Sequence, residues 1–189
     1  IGECDASPEA AGLRAMLAER SLSPQHCEDL IEAFSRDVTK LRYRDFDDLM
    51  DYCRFSAMPV GRFVLDVHGE ARSAWPASDA LCAALQIINH LQDCAKDYRD
   101  LNRVYIPLDF LAAAGGPEAL GAARASPALR EAIVALAGRT AGLLDRARPL
   151  ASHIRDSRLA LEVGVIQRLA GDLVRRLLRR DPLSERVHH

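Results

Sequence analysis

The stretch Gln86–Pro107, QIINHLQDCAKDYRDLNRVYIP, decides how this chain is read. Asn89, Asp93 and Asp97 stand four and four apart, and Gln86 precedes Asn89 by three. On a helix those intervals put the side chains on one face, each a turn above the last. The stripe runs through apolar sequence: Leu81, Ala84, Leu85, Ile87, Ile88 and Leu91. Desolvating an unpaired carboxylate costs several kcal/mol, so two stacked aspartates beside such a face need a counter-charge. A hard divalent cation answers that need, and Mg²⁺ takes one or two carboxylates together with substrate phosphates. Arg103 and Tyr105, just beyond the stripe, offer a cation and a hydroxyl for the phosphates themselves.

The plainer alternative is a solvated polar face. Aspartates at i and i+4 repel by only a few tenths of a kcal/mol in water, and Lys96 and Arg99 lie close in sequence. Spacing alone does not choose between the two readings; the flanking sequence does.

Working outward, the chain reads as helix almost throughout. Ser7-Pro8 and Ser23-Pro24 look like helix starts, serine as N-cap and proline in the first turn. One helix is expected from Ser23 to about Leu41. Another should run from Asp45 to about His68, kinked at Pro59 and closed by Gly69. Ser78 or Asp79 is expected to cap the helix carrying the stripe, which ends near Leu101. Gly115-Gly116-Pro117 marks a break. Further helices are expected over 127–147 and 152–180, with Pro182 just beyond the last.

At 189 residues, 49% hydrophobic and 28% charged, this is most simply one soluble globular domain spanning 1–189. A net charge of −2 gives no electrostatic case for nucleic acid. No apolar run approaches the ~20 residues that span a bilayer. Cys4, Cys27, Cys53, Cys82 and Cys94 are scattered without a CxxC pair, which points to a reducing cytoplasm and not to a disulfide framework.

The stripe resembles the second aspartate-rich motif of the squalene/phytoene synthase family, Gln-Leu-x-Asn-Ile-x-Arg-Asp-x-x-Glu-Asp, through Gln86, Asn89, Asp93 and Asp97. Arg103, Tyr105 and Pro107 match the family's following Arg-x-Tyr/Phe-x-Pro element. Upstream, Asp37, Arg42 and Tyr43 match an Asp-(x)4-Arg-Tyr element. Tyr52, Cys53, Ala57, Val60 and Gly61 match Tyr-Cys-x-x-x-Ala-x-x-Val-Gly. Elements in this order and spacing are far more specific than any one DxxxD. Gln92 stands where the family has arginine, and the context NHLQDCAKDY resembles the hopanoid-pathway branch. No counterpart of the family's first aspartate-rich motif precedes Asp37, and the chain begins at Ile1. It therefore reads as an N-terminally incomplete domain, expected to be inactive alone and prone to self-association.

The resemblance implies an all-α trans-isoprenoid synthase bundle around a central cavity. It implies a Mg²⁺-dependent enzyme acting on a prenyl diphosphate, with Asp93, Asp97 and Tyr52 catalytic. Asp93, Asp97 and Asn89 would hold metal, while Arg42, Tyr43, Gln86, Asn89, Arg103, Tyr105 and Arg186 would hold substrate. Ser56, Ala57, Val60, Leu81 and Leu85 would wall the prenyl chain. The expected reaction is conversion of presqualene diphosphate to hydroxysqualene. The alternatives are head-to-head condensation of farnesyl or geranylgeranyl diphosphate, and a non-catalytic assembly protein of the same fold. Asp47-Asp48-Leu49-Met50-Asp51 also spells DDxxD, but the family register puts it at a helix start, where carboxylates favour the positive dipole end. His68 and His90 read as structural. The arginines of VRRLLRRD read as a solvated helix end, with a peripheral contact to anionic lipid as the alternative.

Overall fold

The computed structural model describes residues 7–185 and Val187. Nine α-helices follow one another among them: α1 Pro8–Glu19, α2 Gln25–Asp37, α3 Phe46–Ser56, α4 Met58–Val67, α5 Trp75–Leu101, α6 Leu108–Leu111, α7 Pro127–Ala147, α8 Leu150–His153 and α9 Ser157–Leu177. The extended pairing among these residues is one isolated parallel bridge, Arg42 to Val104. The expectation of an all-α fold therefore holds.

At 27 residues α5 is about 40 Å long and forms the axis of the bundle. It packs against α3, α4, α7 and α9. Its buried residues include Ala83, Ala84, Ile87, Ile88, Leu91 and Cys94, which meet Leu129, Ile133, Leu136 and Leu143 from α7 and Val174 and Leu177 from α9. Cys53 and Cys94 fill this core as free thiols, both pushed up to about 12 by burial.

Several helix boundaries differ from the sequence reading, each for a local reason. The helix expected from Asp45 to His68 is two helices. Ala57 leaves helical geometry at φ −128°, and Pro59 lies in the first turn of α4, where its missing N–H costs nothing. Neither Ser78 nor Asp79 caps α5, which begins at Trp75 with proline in its first turn. Ser78 is buried inside that helix, and Asp79 pairs with Arg62 through two contacts of 2.6 and 2.8 Å. Helix α2 stops at Asp37, short of Leu41, so that the chain can enter the bridge at Arg42. Helix α9 starts at Ser157, later than the expected 152, and is capped by Asp156, whose carboxylate accepts from the backbone N–H of Arg158 and Leu159. Gly69 does close α4, at φ +67°.

The DDLMD segment is the first turns of α3. Asp45 caps the helix by accepting from the Asp48 N–H at 2.9 Å. Asp48 accepts from Lys40 at 2.6 Å, and Asp51 from Arg36 and Arg54. Cations already hold Asp48 and Asp51, in agreement with the helix-start reading. No described helix is long and apolar enough to cross a membrane.

Candidate active site

The C-terminus of α5 builds the site. Asn102 ends the helix in the left-handed region, at φ 51° and ψ 34°, which asparagine tolerates better than most residues. This reversal lets the Arg103 N–H bond back to the Asp97 carbonyl at 3.0 Å. Arg103 thus returns beside the last aspartate of the stripe. Val104 then donates to the Leu41 carbonyl at 3.0 Å and Leu108 to the Tyr43 carbonyl at 2.9 Å, tying the strand-like 103–106 segment to residues 41–43.

Arg42 pins that junction. Its guanidinium donates to the carbonyl of Asn102 and, at 2.6 Å, to the Asn102 Oδ1. The structure therefore commits Arg42 to the α5 C-cap and does not bring it to the stripe, because Asn102 offers two acceptors next to the bridge. Its role here is to hold the segment that carries Arg103 and Tyr105.

On α5, Gln86, Asp93 and Asp97 are half-buried, and Asn89 is exposed. The stripe is shared as expected, but at Asn89 it faces solvent and not a closed cavity. The Gln86 amide lies 3.1 Å from His90 Nε2, and His90 Nδ1 is 4.0 Å from Asp97 Oδ2. His90, read from the sequence as structural, thus links two members of the stripe. Its spacing gives the signal: it follows Gln86 by four and precedes Asp97 by seven, within about 20° of two full turns. Burial, and then Arg103, push its pKa down to about 3, so the ring is neutral.

Asp97 is shifted the other way. Burial raises its pKa first, and Asp93 raises it further, while Lys96 and Arg103 oppose. No group of three or more His, Cys, Asp or Glu side chains stands at metal-holding distance among the described residues. Two neighbouring carboxylates that repel each other nevertheless match the donor set Mg²⁺ takes when phosphates supply the remaining oxygens.

That strain has a measurable consequence. A carboxylate whose folded pKa is raised disfavours folding above that pKa and is relieved as pH falls through it. Asp97→Asn is therefore expected to raise the melting temperature of the metal-free protein at neutral pH. The advantage should shrink as the pH is lowered into the carboxylate range. A lower melting temperature at neutral pH would contradict the assignment.

Beside the stripe lies an aromatic cluster. Tyr43 and Tyr105 stack with ring centroids 5.6 Å apart. Tyr52 lies 5.2 Å from Tyr43 and 5.8 Å from Tyr105, and His90 lies flat on Tyr105 at 3.5 Å. All four rings are buried. Tyr52 donates to Asp37 Oδ2 at 3.1 Å, and Arg103 donates to the Asp37 backbone carbonyl at 2.9 Å. Burial raises the pKa of all three tyrosines, so each stays a neutral phenol. Ring faces carry negative potential that favours a nearby cation.

The structure thus brings together Gln86, Asp97, Arg103, Tyr105, Tyr52 and Tyr43, with Asp93 one turn before Asp97. Arg186 lies outside the described residues. Its neighbour Val187 is buried, and its carbonyl accepts from Gln92, next to Asp93. Of the expected prenyl wall, Ala57 and Leu81 are buried, whereas Val60 is 49% exposed. Of the arginines at and just beyond the end of α9, Arg175 pairs with Asp172 and Arg180 with Glu185. That suits the solvated reading.

The squalene/phytoene synthase family model matches residues 3–189. A hydroxysqualene synthase from Rhodopseudomonas palustris is 61% identical, and one from Sinorhizobium fredii 52%, each over the whole chain. The chain spans 65% of the length of these curated relatives. The crystal structure of squalene synthase HpnC from Alicyclobacillus acidocaldarius is similar with a TM-score of 0.84 at 34% identity, over 92% of this chain and 66% of that one.

Proposed function

This chain belongs to the squalene/phytoene synthase family, and we propose that the protein converts presqualene diphosphate to hydroxysqualene. What supports the reading is Arg103 close to three buried tyrosine rings, next to Asp97, with Asp93 one turn before it on the helix. A charged-phosphate end and a cation-tolerant apolar end meet there. The resemblance to two proteins named hydroxysqualene synthase, over every residue of the chain, supports the choice among the family's reactions.

The chemistry follows from that juxtaposition. The bond between the cyclopropylcarbinyl carbon and diphosphate oxygen breaks heterolytically, leaving a carbocation and diphosphate. Asp93, Asp97 and Asn89 would hold Mg²⁺, which supplies Lewis-acid neutralisation of the leaving group. Arg103 adds a directed cation to the diphosphate oxygens. The buried Tyr52 and Tyr105 rings would supply negative ring potential near the charge developing on carbon. Water then adds to the cation, a C–O bond forms, and one proton leaves to solvent. No hydride donor is needed for this outcome.

The test is incubation of the full-length protein with Mg²⁺ and, separately, presqualene, farnesyl and geranylgeranyl diphosphate. Hydroxysqualene from the first is the expected product. Condensation products from the second or third, with presqualene diphosphate untouched, would replace this reading with a head-to-head synthase.

A further inference from the structure

We propose that Asp37 is a positioning residue for this reaction, its carboxylate fixing the Tyr52 hydroxyl and ring beside Arg103; the role rests on the function proposed above. Asp37 is the last residue of α2. There the negative end of the helix dipole disfavours a carboxylate, so local helix energetics do not account for it. What it gains is tertiary. Oδ2 accepts from the Tyr52 hydroxyl at 3.1 Å, and Arg103 Nη1 lies 4.0 Å from the same oxygen. Its backbone carbonyl separately accepts from Arg103 Nη2 at 2.9 Å. One residue thereby joins the end of α2, the middle of α3 and the segment beyond α5.

The Tyr52 ring is buried, with the rings of Tyr43, Tyr105 and His90 as its neighbours. A buried phenol without an acceptor bears a desolvation penalty and is free to seek another partner. A phenol bonded to a carboxylate is held by a charge-assisted bond. Asp37 Oδ1 is buried and has no hydrogen-bond partner among the described residues, so the side-chain contacts of the carboxylate are those of Oδ2 with Tyr52 and Arg103. Holding the ring matters because a misplacement of about 1 Å at a reacting centre can cost ~10²-fold in rate. Since Arg103 is anchored to the Asp37 carbonyl, substitution of the side chain leaves that bond in place and removes only what the carboxylate does for Tyr52 and Arg103.

The experiment is a double-mutant cycle in the full-length protein, run on whichever of the three prenyl diphosphates it consumes. Asp37→Ala and Tyr52→Phe are each expected to lower kcat by roughly ten-fold or more with little change in KM. The double variant should be no slower than the slower single variant. Asp37→Asn, whose amide oxygen still accepts, should recover part of the loss. A kcat for Asp37→Ala within about two-fold of wild type, or multiplicative effects in the double variant, overturns the role. A second readout needs no turnover. Fluorotyrosine NMR, with the Tyr52 resonance assigned by its loss in Tyr52→Phe, should show that resonance moving in Asp37→Ala. A moved resonance with no prenyl diphosphate consumed keeps the coupling and defeats the proposed reaction. An unmoved resonance defeats the coupling whatever the substrate.

Discussion

Asp93→Asn in the full-length protein is expected to lower turnover by at least ~10²-fold, about 3 kcal/mol of transition-state stabilisation, while the fold stays intact. The substitution is nearly isosteric and removes only charge. Asp93 forms no ion pair with another described side chain, so little native structure depends on it. Its charge acts on Asp97, whose ionisation it disfavours. Diphosphate is a poor leaving group unless its charge is neutralised, and the pair is the site's own means of gathering that neutralisation. Circular dichroism should be close to wild type and the melting temperature no lower, since the charge removed is one that repels Asp97, with the loss confined to kcat. Turnover within a few-fold of wild type would falsify the metal-holding role.

Gly61→Ala is the largest expected structural effect. Alanine is the better helix former by roughly 0.5–1 kcal/mol, so propensity predicts a gain. The packing predicts the opposite. A Cβ at Gly61 would stand 2.4 Å from Ser78 Oγ and 2.5 Å from Cys82 Sγ, both on α5. Ser78 is buried, and making room for the Cβ requires Ser78 and Cys82 to leave their rotamers or α4 to move away from α5. A net loss of about 1–3 kcal/mol follows, or a melting temperature lower by several degrees for a domain of this size. The cause can be isolated. Ser78→Ala with Cys82→Ala removes both close atoms and leaves Ser78 Cβ at an ordinary 3.8 Å. Gly61→Ala placed in that background should cost much less than it does in wild type. An equal cost in both backgrounds would show that the clash is not the reason for the glycine.

Much of this was legible in the sequence because helices announce themselves locally. Ser7-Pro8, Gly69 and the apolar face of 81–94 each carry their own physical signal, and the structure places helix ends and core accordingly. The stripe was legible for the same reason, since four-residue spacing fixes a shared face. What was hidden depends on contacts between distant segments. Arg42 looks like a substrate cation until Asn102 turns left-handed beside it. His90 looks structural until Tyr105 folds back from beyond that turn and lies on it. Asp37 has no helical companion to mark it; its partners, Tyr52 and Arg103, are 15 and 66 residues away. The break at Ala57 was hidden because Pro59 kinks a helix or starts one with the same residue, and only packing against α5 chooses.

The most direct test of the account is the product formed from presqualene diphosphate by the full-length protein with Mg²⁺ in water enriched in heavy oxygen. The account predicts hydroxysqualene carrying one heavy oxygen, formed stoichiometrically with diphosphate. It also predicts that Asp93→Asn lowers label incorporation and diphosphate release together, by at least ~10²-fold. Unlabelled hydroxysqualene, a hydrocarbon product, or diphosphate release that survives Asp93→Asn would contradict it.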